Sequence, residues 1–189
     1  MPFYDPDKIE ILIDEETLQA KIKAIADQIS EDYRGRELVL ICVLKGSYLF
    51  LADLSRAIDL PLEIDFIGVS SYGDGFESSG VVRMVQDLSN PIAGKDVLIV
   101  EDIIDSGLTM KYLLSNLSTR RPRSLKVVSL LCKPSKAKVD IPVEYLGFEI
   151  DDRFVIGYGL DYENRFRNLP FIAVTLSSTP PLTDPVDPS

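Results

Sequence analysis

The segment Val97-Leu98-Ile99-Val100-Glu101-Asp102-Ile103-Ile104-Asp105-Ser106-Gly107-Leu108-Thr109 decides the fold of this chain. Its first four residues are apolar and predict a buried strand. The Ser-Gly-x-Thr turn at its end opens a helix. Free backbone N–H groups and the positive end of the helix dipole converge at such a turn. A strand that feeds a helix in this way therefore predicts a site for a phosphate group.

Three carboxylates in this segment are unusual for a loop that only grips phosphate, because they would repel the ligand. The Walker pattern would need glycine at position 102 and lysine at position 108. The chain has Asp102 and Leu108 instead. We therefore expect a ligand that carries, besides its phosphate, something that carboxylates bind. Sugar hydroxyls, a bridging cation and a proton to be accepted all fit.

The composition is that of an ordinary globular protein, with 189 residues, of which 46% are hydrophobic and 26% charged. The net charge of −10 argues against non-specific binding of nucleic acid. There is no membrane-length apolar run and no signal-peptide core, so we expect a cytoplasmic protein without a membrane partner. Since the chain has no histidine, Ser-His-Asp and Cys-His catalysis are excluded. Cys42 and Cys132 lie in apolar runs and are interpreted as buried thiols.

Hydrophobic patterns predict alternating strands and helices. Helices are predicted after Asp14, Gly46 and Gly107, and strands are predicted over residues 8–13, 37–44, 62–70, 96–100, 126–132 and 143–149. This alternation predicts an α/β fold with a parallel sheet and right-handed crossovers. Ligands bind beyond the carboxyl ends of the strands in such sheets.

Two segments do not fit this alternation of strands and helices. The stretch 70–80 is polar, contains three glycines and lies between strands. It predicts a mobile lid over about residues 70–83, with a floppy hairpin as the alternative. The stretch 177–189 contains four prolines and little to bury, which predicts a disordered tail. We expect a single domain over residues 1–176.

The segment from Glu101 to Thr109 resembles the signature of the type I phosphoribosyltransferases, which bind the ribose and 5′-phosphate of phosphoribosyl pyrophosphate. Other motifs resemble the hypoxanthine-guanine members of this family, in their bacterial form. In the family's order they are Leu44-Lys45-Gly46-Ser47, Asp65-Phe66-Ile67, Ser70-Ser71-Tyr72-Gly73, Ser129-Leu130-Leu131-Cys132-Lys133, Gly147-Phe148-Glu149, Phe154-Val155-Ile156-Gly157-Tyr158, Asp161-Tyr162 and Phe166-Arg167-Asn168-Leu169-Pro170. The resemblance covers roughly residues 8–176. It implies a parallel sheet with flanking helices, a small hood and a mobile lid.

The reaction that this resemblance implies is transfer of phosphoribose from its pyrophosphate to N9 of a 6-oxopurine, hypoxanthine or guanine. The products are IMP or GMP and pyrophosphate. Transfer to xanthine or another base stays open, as does a non-catalytic, nucleotide-binding regulator of the same fold. The resemblance also implies magnesium as cofactor and a homodimer or homotetramer. No nucleic acid is expected as a partner.

The acidic segment receives several roles from the resemblance. Glu101 and Asp102 would hold the ribose hydroxyls, directly or through magnesium. Asp105 would be the general base that accepts a proton from the purine N7. The loop that wraps the 5′-phosphate would consist of Asp105, Ser106, Gly107, Leu108 and Thr109.

The purine and the pyrophosphate would be bound by residues further along the chain. Lys133 would donate a hydrogen bond to the purine O6, which rejects adenine because its amino group is also a donor. Phe154 would stack on the purine, and the backbone at Val155 and Asp161 would read its N2 edge.

The resemblance also assigns the magnesium and pyrophosphate ligands. Asp161 would hold magnesium as well. Lys45, Gly46 and Arg167 would bind pyrophosphate, with a cis peptide bond at Lys45-Gly46. The pair Ser71-Tyr72 would lie on the lid.

Overall fold

The computed structural model describes residues 4–72 and 81–176. The tip of the predicted lid, residues 73–80, and the predicted tail, residues 177–189, lie outside the described residues. No helix in the described ranges is long and apolar enough to span a membrane.

The main sheet of the described chain has six strands. They are β2 (Leu38–Leu44), β3 (Leu62–Tyr72), β4 (Val81–Gln86), β5 (Asp96–Ile104), β6 (Ser124–Cys132) and β7 (Tyr145–Glu149). Their order is β4-β3-β2-β5-β6-β7. All neighbouring pairs are parallel except β3 and β4, which form an antiparallel edge. The predicted α/β fold is confirmed.

Three α-helices cover the two faces of this sheet in the described ranges. They are α1 (Glu15–Asp32), α2 (Tyr48–Ala57) and α3 (Leu108–Ser118). Alternate residues of β2 point to opposite faces, as strand geometry requires. Leu40 packs in the cluster that contains α1 and α2, whereas Ile41 packs in the cluster that contains α3. Asp14 caps α1 as predicted, because its carboxylate accepts a hydrogen bond of 2.8 Å from the Thr17 N–H.

A second, antiparallel sheet of three strands forms the hood. Its strands are β1 (Ile9–Ile13), β8 (Val155–Ile156) and β9 (Ile172–Thr175), in the order β1-β9-β8. The strand predicted over residues 8–13 is therefore present but belongs to the hood. The hood confirms the architecture that the resemblance implies. Its strand β8 gave no periodic signal of its own because it has only two residues.

Two strands continue beyond their predicted carboxyl ends, and in both cases pairing with a neighbour explains the extension. β5 was expected to end at residue 100 but continues to Ile104, because β6 runs alongside it and pairs Glu101 with Ser129. The two adjacent acids are thus strand residues rather than part of the turn. β3 was expected to end at residue 70 but continues to Tyr72, which pairs with Val81 of β4.

The hood is tied to the helices by a buried tyrosine. Tyr158 is 4% exposed, and its hydroxyl donates a hydrogen bond of 2.5 Å to Asp53 Oδ2 on α2. Gln19 Nε2 of α1 donates to the same oxygen at 2.9 Å, and Arg56 pairs with the other oxygen. Partial burial raises the pKa of Asp53, but these hydrogen bonds outweigh it and leave the pKa below its usual value.

Replacing Tyr158 with phenylalanine should destabilise the protein by roughly 1–2 kcal/mol at neutral pH, since a buried carboxylate loses a charge-assisted hydrogen bond. The lowered pKa means that the stabilising effect of Asp53 is present above the ordinary aspartate pKa of about 4. It is lost as the pH falls through the lower, folded-state value. Urea titrations of both proteins should therefore show a difference that narrows under acid conditions.

Tyr48→Phe is the matched control, because Tyr48 is 38% exposed and its loss should cost less than about 0.5 kcal/mol. Equal losses of unfolding free energy in the two variants would contradict the assigned role of Tyr158. So would a stability difference between Tyr158→Phe and the unaltered protein that widens in acid.

Candidate active site

The predicted site residues meet at the edge where the parallel strands β2, β5 and β6 end. Lys45-Gly46 follows β2, Asp105-Ser106 follows β5, and Lys133 follows β6. The three strands are direct neighbours. The carboxyl edge of the sheet is therefore the candidate site, as the sequence predicted.

A small pocket of about 80 Å³ lies where β5 turns into α3. It is lined by Glu101, Ile103, Ile104, Asp105, Ser106, Gly107, Thr109 and Met110. Pockets that enclose a whole ligand measure about 300–1,000 Å³. This one is suited to a single group, such as a phosphate, with the rest of the ligand outside.

The turn that forms this pocket requires glycine. Gly107 caps α3 with a left-handed backbone, φ +79°, which favours a residue without Cβ. A Cβ at this position would also lie 2.9 Å from Val139 Cγ2. The Lys138 N–H donates to the Ser106 carbonyl at 3.0 Å. The segment after β6 thus supports the turn from behind, and the first turn of α3 presents N–H groups that have no intrahelical acceptor.

The two adjacent carboxylates at the end of β5, Glu101 and Asp102, repel each other. Glu101 is 6% exposed, and its Oε1 accepts a hydrogen bond of 3.2 Å from the Asp102 N–H. Burial, together with the negative charge of Asp102, raises the pKa of Glu101 well above its usual range. The pair would be stabilised by a cation or by donor hydroxyls, which is the type of ligand that the sequence predicted.

Gly46 is held between the sheet and the hood. A Cβ on Gly46 would lie 1.7 Å from Asp102 Oδ2. On its other side, a Cβ on Gly159 would lie 1.9 Å from the Gly46 carbonyl oxygen, and Gly159 has a φ of +97°. The cis peptide bond expected at Lys45-Gly46 lies one bond earlier, between Leu44 and Lys45. Only glycines permit this approach of three chain segments.

On the hood, two predicted ligands are paired with each other. Asp161 Oδ1 lies 2.6 Å from Arg167 Nη2, and Asp161 Oδ2 accepts a hydrogen bond of 2.7 Å from the Asn164 N–H. Arg167 Nη1 donates to the Gly159 carbonyl at 2.6 Å. The hydrogen bonds therefore connect Asp161 and Arg167 to the segment that packs on Gly46.

Lys133 and Phe154, the predicted purine ligands, differ in their exposure. Lys133 is 7% exposed, whereas Phe154 is 43% exposed. Phe154 was interpreted as a strand residue but precedes the buried β8, which begins at Val155. Its ring makes an edge-on contact with Tyr162, with centroids 5.6 Å apart. Its exposed face can therefore stack on a planar base.

Ser71 and Tyr72, expected on the lid, form the last two positions of β3, opposite Val82 and Val81 of β4. The first residues of the predicted lid therefore belong to the sheet.

Sequence reasoning missed Asp152, whose carboxylate lies 3.8 Å from Lys133 Nζ. The acidic pair Asp151-Asp152 precedes Arg153 in a run of charges. Nothing in such a run distinguishes an ion-paired carboxylate from a solvated one.

The geometry supports no catalytic role for the two cysteines. Both are free thiols in the described chain. Burial raises the pKa of Cys42 to about 11, an effect to which the nearby charges of Glu101 and Asp102 add. Burial also raises the pKa of Cys132. Both thiols are therefore protonated at neutral pH. Cys42 is buried as predicted, whereas Cys132 is only partly buried.

Comparisons with known proteins agree with this geometry. Residues 10–163 match the model of the phosphoribosyl transferase domain family. The chain is 49% identical over 175 residues to a hypoxanthine-guanine phosphoribosyltransferase of Mycobacterium tuberculosis, covering 89% of this chain and 87% of the relative. It is 48% identical over 165 residues to the enzyme of that name from Bacillus subtilis, covering 87% and 92% of the two chains.

A solved hypoxanthine-guanine phosphoribosyltransferase from Bacillus anthracis superimposes with a TM-score of 0.84 and 49% sequence identity. The alignment covers 88% of this chain and 98% of that one. The structure of the relative holds a HEPES molecule in its active site.

Replacing Gly46 with alanine should destabilise the protein by about 1–3 kcal/mol, the usual cost of overpacking, because its methyl group would collide with Asp102. The collision can be tested by a double-mutant cycle in which Gly46→Ala is also made in an Asp102→Ala background. Urea denaturation should show a smaller cost there, since the colliding carboxylate is gone. A cost that is the same in both backgrounds would place the collision elsewhere.

Proposed function

The chain belongs to the phosphoribosyltransferase family, and we propose that it transfers phosphoribose from phosphoribosyl pyrophosphate to hypoxanthine or guanine. The products would be IMP or GMP and pyrophosphate, as in purine salvage. One observation carries this proposal. The 105–109 turn, the acid pair and Lys133 lie at the carboxyl ends of adjacent parallel strands. A phosphate, a ribose and a base can thus be bound side by side.

The 105–109 turn is proposed to hold the 5′-phosphate. Its pocket of about 80 Å³ accommodates one such group. The N–H groups of the first turn of α3 and the hydroxyls of Ser106 and Thr109 can donate to phosphate oxygens. The adjacent Glu101 and Asp102 would then accept hydrogen bonds from the ribose hydroxyls, which keeps the acids apart from the phosphate charge.

Asp105 is proposed as the general base. Its side chain is exposed at the mouth of the phosphate pocket. The purine N9 attacks the anomeric carbon, the bond from that carbon to pyrophosphate breaks, and the N7 proton passes to the Asp105 carboxylate. Proton transfer of this kind typically accelerates a reaction by about a hundred- to ten-thousand-fold.

Lys133 is proposed to select the base. Its ammonium donates to the O6 of a 6-oxopurine, whereas the 6-amino group of adenine would leave two donors facing each other. Phe154 offers an exposed face for stacking on the ring. The carbonyl of Val155 and the backbone near Asp161 would meet the N2 edge.

A magnesium site fits the donor set, which consists of carboxylate oxygens without histidine. The described residues contain no cluster of three or more potential ligand side chains. This suits magnesium, which usually takes one or two carboxylates and completes its shell with water and substrate phosphates. When bound, magnesium would neutralise the charge of the pyrophosphate leaving group. Asp161 would hold magnesium at the pyrophosphate, whereas Glu101 and Asp102 would meet it at the ribose hydroxyls. Lys45, Gly46 and Arg167 would bind the pyrophosphate.

We also propose a cytoplasmic homodimer or homotetramer with its catalytic domain over residues 1–176. Two free thiols are typical of a reducing compartment. Ile64, Phe66 and Val85 leave large apolar side chains exposed on β3 and β4, which suits a subunit contact. Sedimentation velocity should show a particle of two or four chain masses, and a monomer would contradict the assembly.

The function is tested by an assay with phosphoribosyl pyrophosphate, magnesium and each of hypoxanthine, guanine, xanthine and adenine. Hypoxanthine and guanine should be converted to nucleotides, and chelation of magnesium by EDTA should abolish the turnover. A preference for xanthine would change the assigned substrate. Turnover of adenine without hypoxanthine would overturn the role of Lys133, and no turnover of any base would overturn the enzyme.

The Asp105→Asn variant should lower kcat by about a hundredfold or more, because the amide cannot accept the N7 proton. The KM for phosphoribosyl pyrophosphate should change by less than about threefold. Asp59→Asn is the control, since Asp59 is exposed and follows α2 at the opposite edge of the sheet. Equal losses of turnover and of substrate binding would make Asp105 a binding residue instead.

A further inference from the structure

A carboxylate that the roles above leave unused lies between two lysines beside the candidate purine site. Asp152 Oδ1 is 3.8 Å from Lys133 Nζ and 2.9 Å from Lys136 Nζ. The Lys133 side chain is 8% exposed, whereas those of Asp152 and Lys136 are 47% and 43% exposed. Asp152 is thus a half-exposed group that reaches a buried ammonium.

Lys133 depends on this carboxylate for its charge partner. In the described part of the chain, Asp152 supplies the sole carboxylate within ion-pair distance of Lys133. A lysine has a flexible four-carbon stem with three rotatable donors. An ion pair at its end therefore limits where its donors point.

The backbone holds the two groups in register. Lys133 follows β6 and donates its N–H to the Ile104 carbonyl at 2.9 Å. Asp152 follows β7, whose alignment with β6 continues in a hydrogen bond of 2.9 Å from the Ile150 N–H to the Cys132 carbonyl. Phe154 comes two residues later. Asp152 is accordingly within ion-pair distance of the proposed O6 donor and close in sequence to the proposed stacking ring.

Lys136 shares the same oxygen and brings a second charge to the site. The carboxylates of Asp152 and Asp105 both act to raise the pKa of Lys136, with the hydrogen bond to Asp152 the larger effect. Lys136 therefore lies within the electrostatic reach of the proposed general base, and it shares the Asp152 carboxylate with Lys133.

We propose that Asp152 is a positioning residue for purine recognition, and that its Oδ1 holds Lys133 Nζ in the orientation that meets the purine O6. This inference rests on the proposed function, because it takes Lys133 as the O6 donor. It adds a determinant of specificity that does not itself touch the substrate.

The Asp152→Asn variant removes the charge and retains the size of the side chain. We expect kcat/KM for hypoxanthine and for guanine to fall by about three- to tenfold, the scale expected of a half-exposed ion pair that orients another group. The KM for phosphoribosyl pyrophosphate should be unchanged. A merely structural role for Asp152 would impair both substrates together.

Asp151→Asn is the matched control, since its exposed carboxylate makes no ion pair within the described ranges. It should leave the kinetics for both substrates unchanged. A fall equal to that of Asp152→Asn would show that local charge alone is responsible and would overturn the inference.

A double-mutant cycle with Lys133→Met identifies the route of the effect. If Asp152 acts through Lys133, adding Asp152→Asn to Lys133→Met should change the purine kcat/KM by less than about twofold. Additive losses would overturn the inference. If the purine kcat/KM falls in Lys133→Met but is unchanged in Asp152→Asn, the inference is overturned while the proposed function stands. Unchanged purine kinetics in Lys133→Met would overturn the proposed role of Lys133 and the inference with it.

Discussion

The candidate site depends on the close packing of Gly46 between Asp102 and Gly159. Any side chain on Gly46 would overlap the Asp102 carboxylate, and any side chain on Gly159 would overlap the Gly46 carbonyl. Three segments that are remote in sequence, from β2, β5 and the hood, therefore meet with backbone against backbone. This contact brings the acid pair at the end of the sheet next to the segment that carries Asp161 and Arg167.

The rest of the hood is fixed relative to this contact by hydrogen bonds on both sides of Gly159. Arg167 donates to the Gly159 carbonyl, and the neighbouring Tyr158 donates to Asp53 on α2. Since α2 begins directly after the Lys45-Gly46 loop, one helix carries the loop at its start and the hood anchor further along. A shift of the hood would therefore disturb the loop as well. Such coupling suits a reaction that must align a base, a ribose and a leaving group.

The sequence predicted the parallel strands of the sheet and the turn at the carboxyl end of β5, because both leave local signals. Apolar runs identify buried strands such as β2, and the Asp105–Thr109 motif identifies the turn at the carboxyl end of β5. The ends of the strands were predicted less accurately. The continuation of β5 through Asp102, for example, depends on a neighbouring strand rather than on local hydrophobicity. The hood strand β8 is too short to show a period.

The ion pairs around the candidate site left no signal of this kind in the sequence. The ion pair of Asp152 with Lys133 joins residues after two different strands, and the Asp161–Arg167 pair arises from the local path of the hood segment. A charged residue in sequence looks the same whether it is solvated or paired. These ion pairs could be identified only once the fold had brought the partners together.

The most direct test of the account is a crystal structure of the protein with GMP, the proposed product. The account predicts the 5′-phosphate at the first turn of α3, the ribose hydroxyls at Glu101 and Asp102, and the guanine on Phe154 with its O6 at Lys133 Nζ. A phosphate bound away from the 105–109 turn, or a guanine that does not reach Lys133, would contradict it.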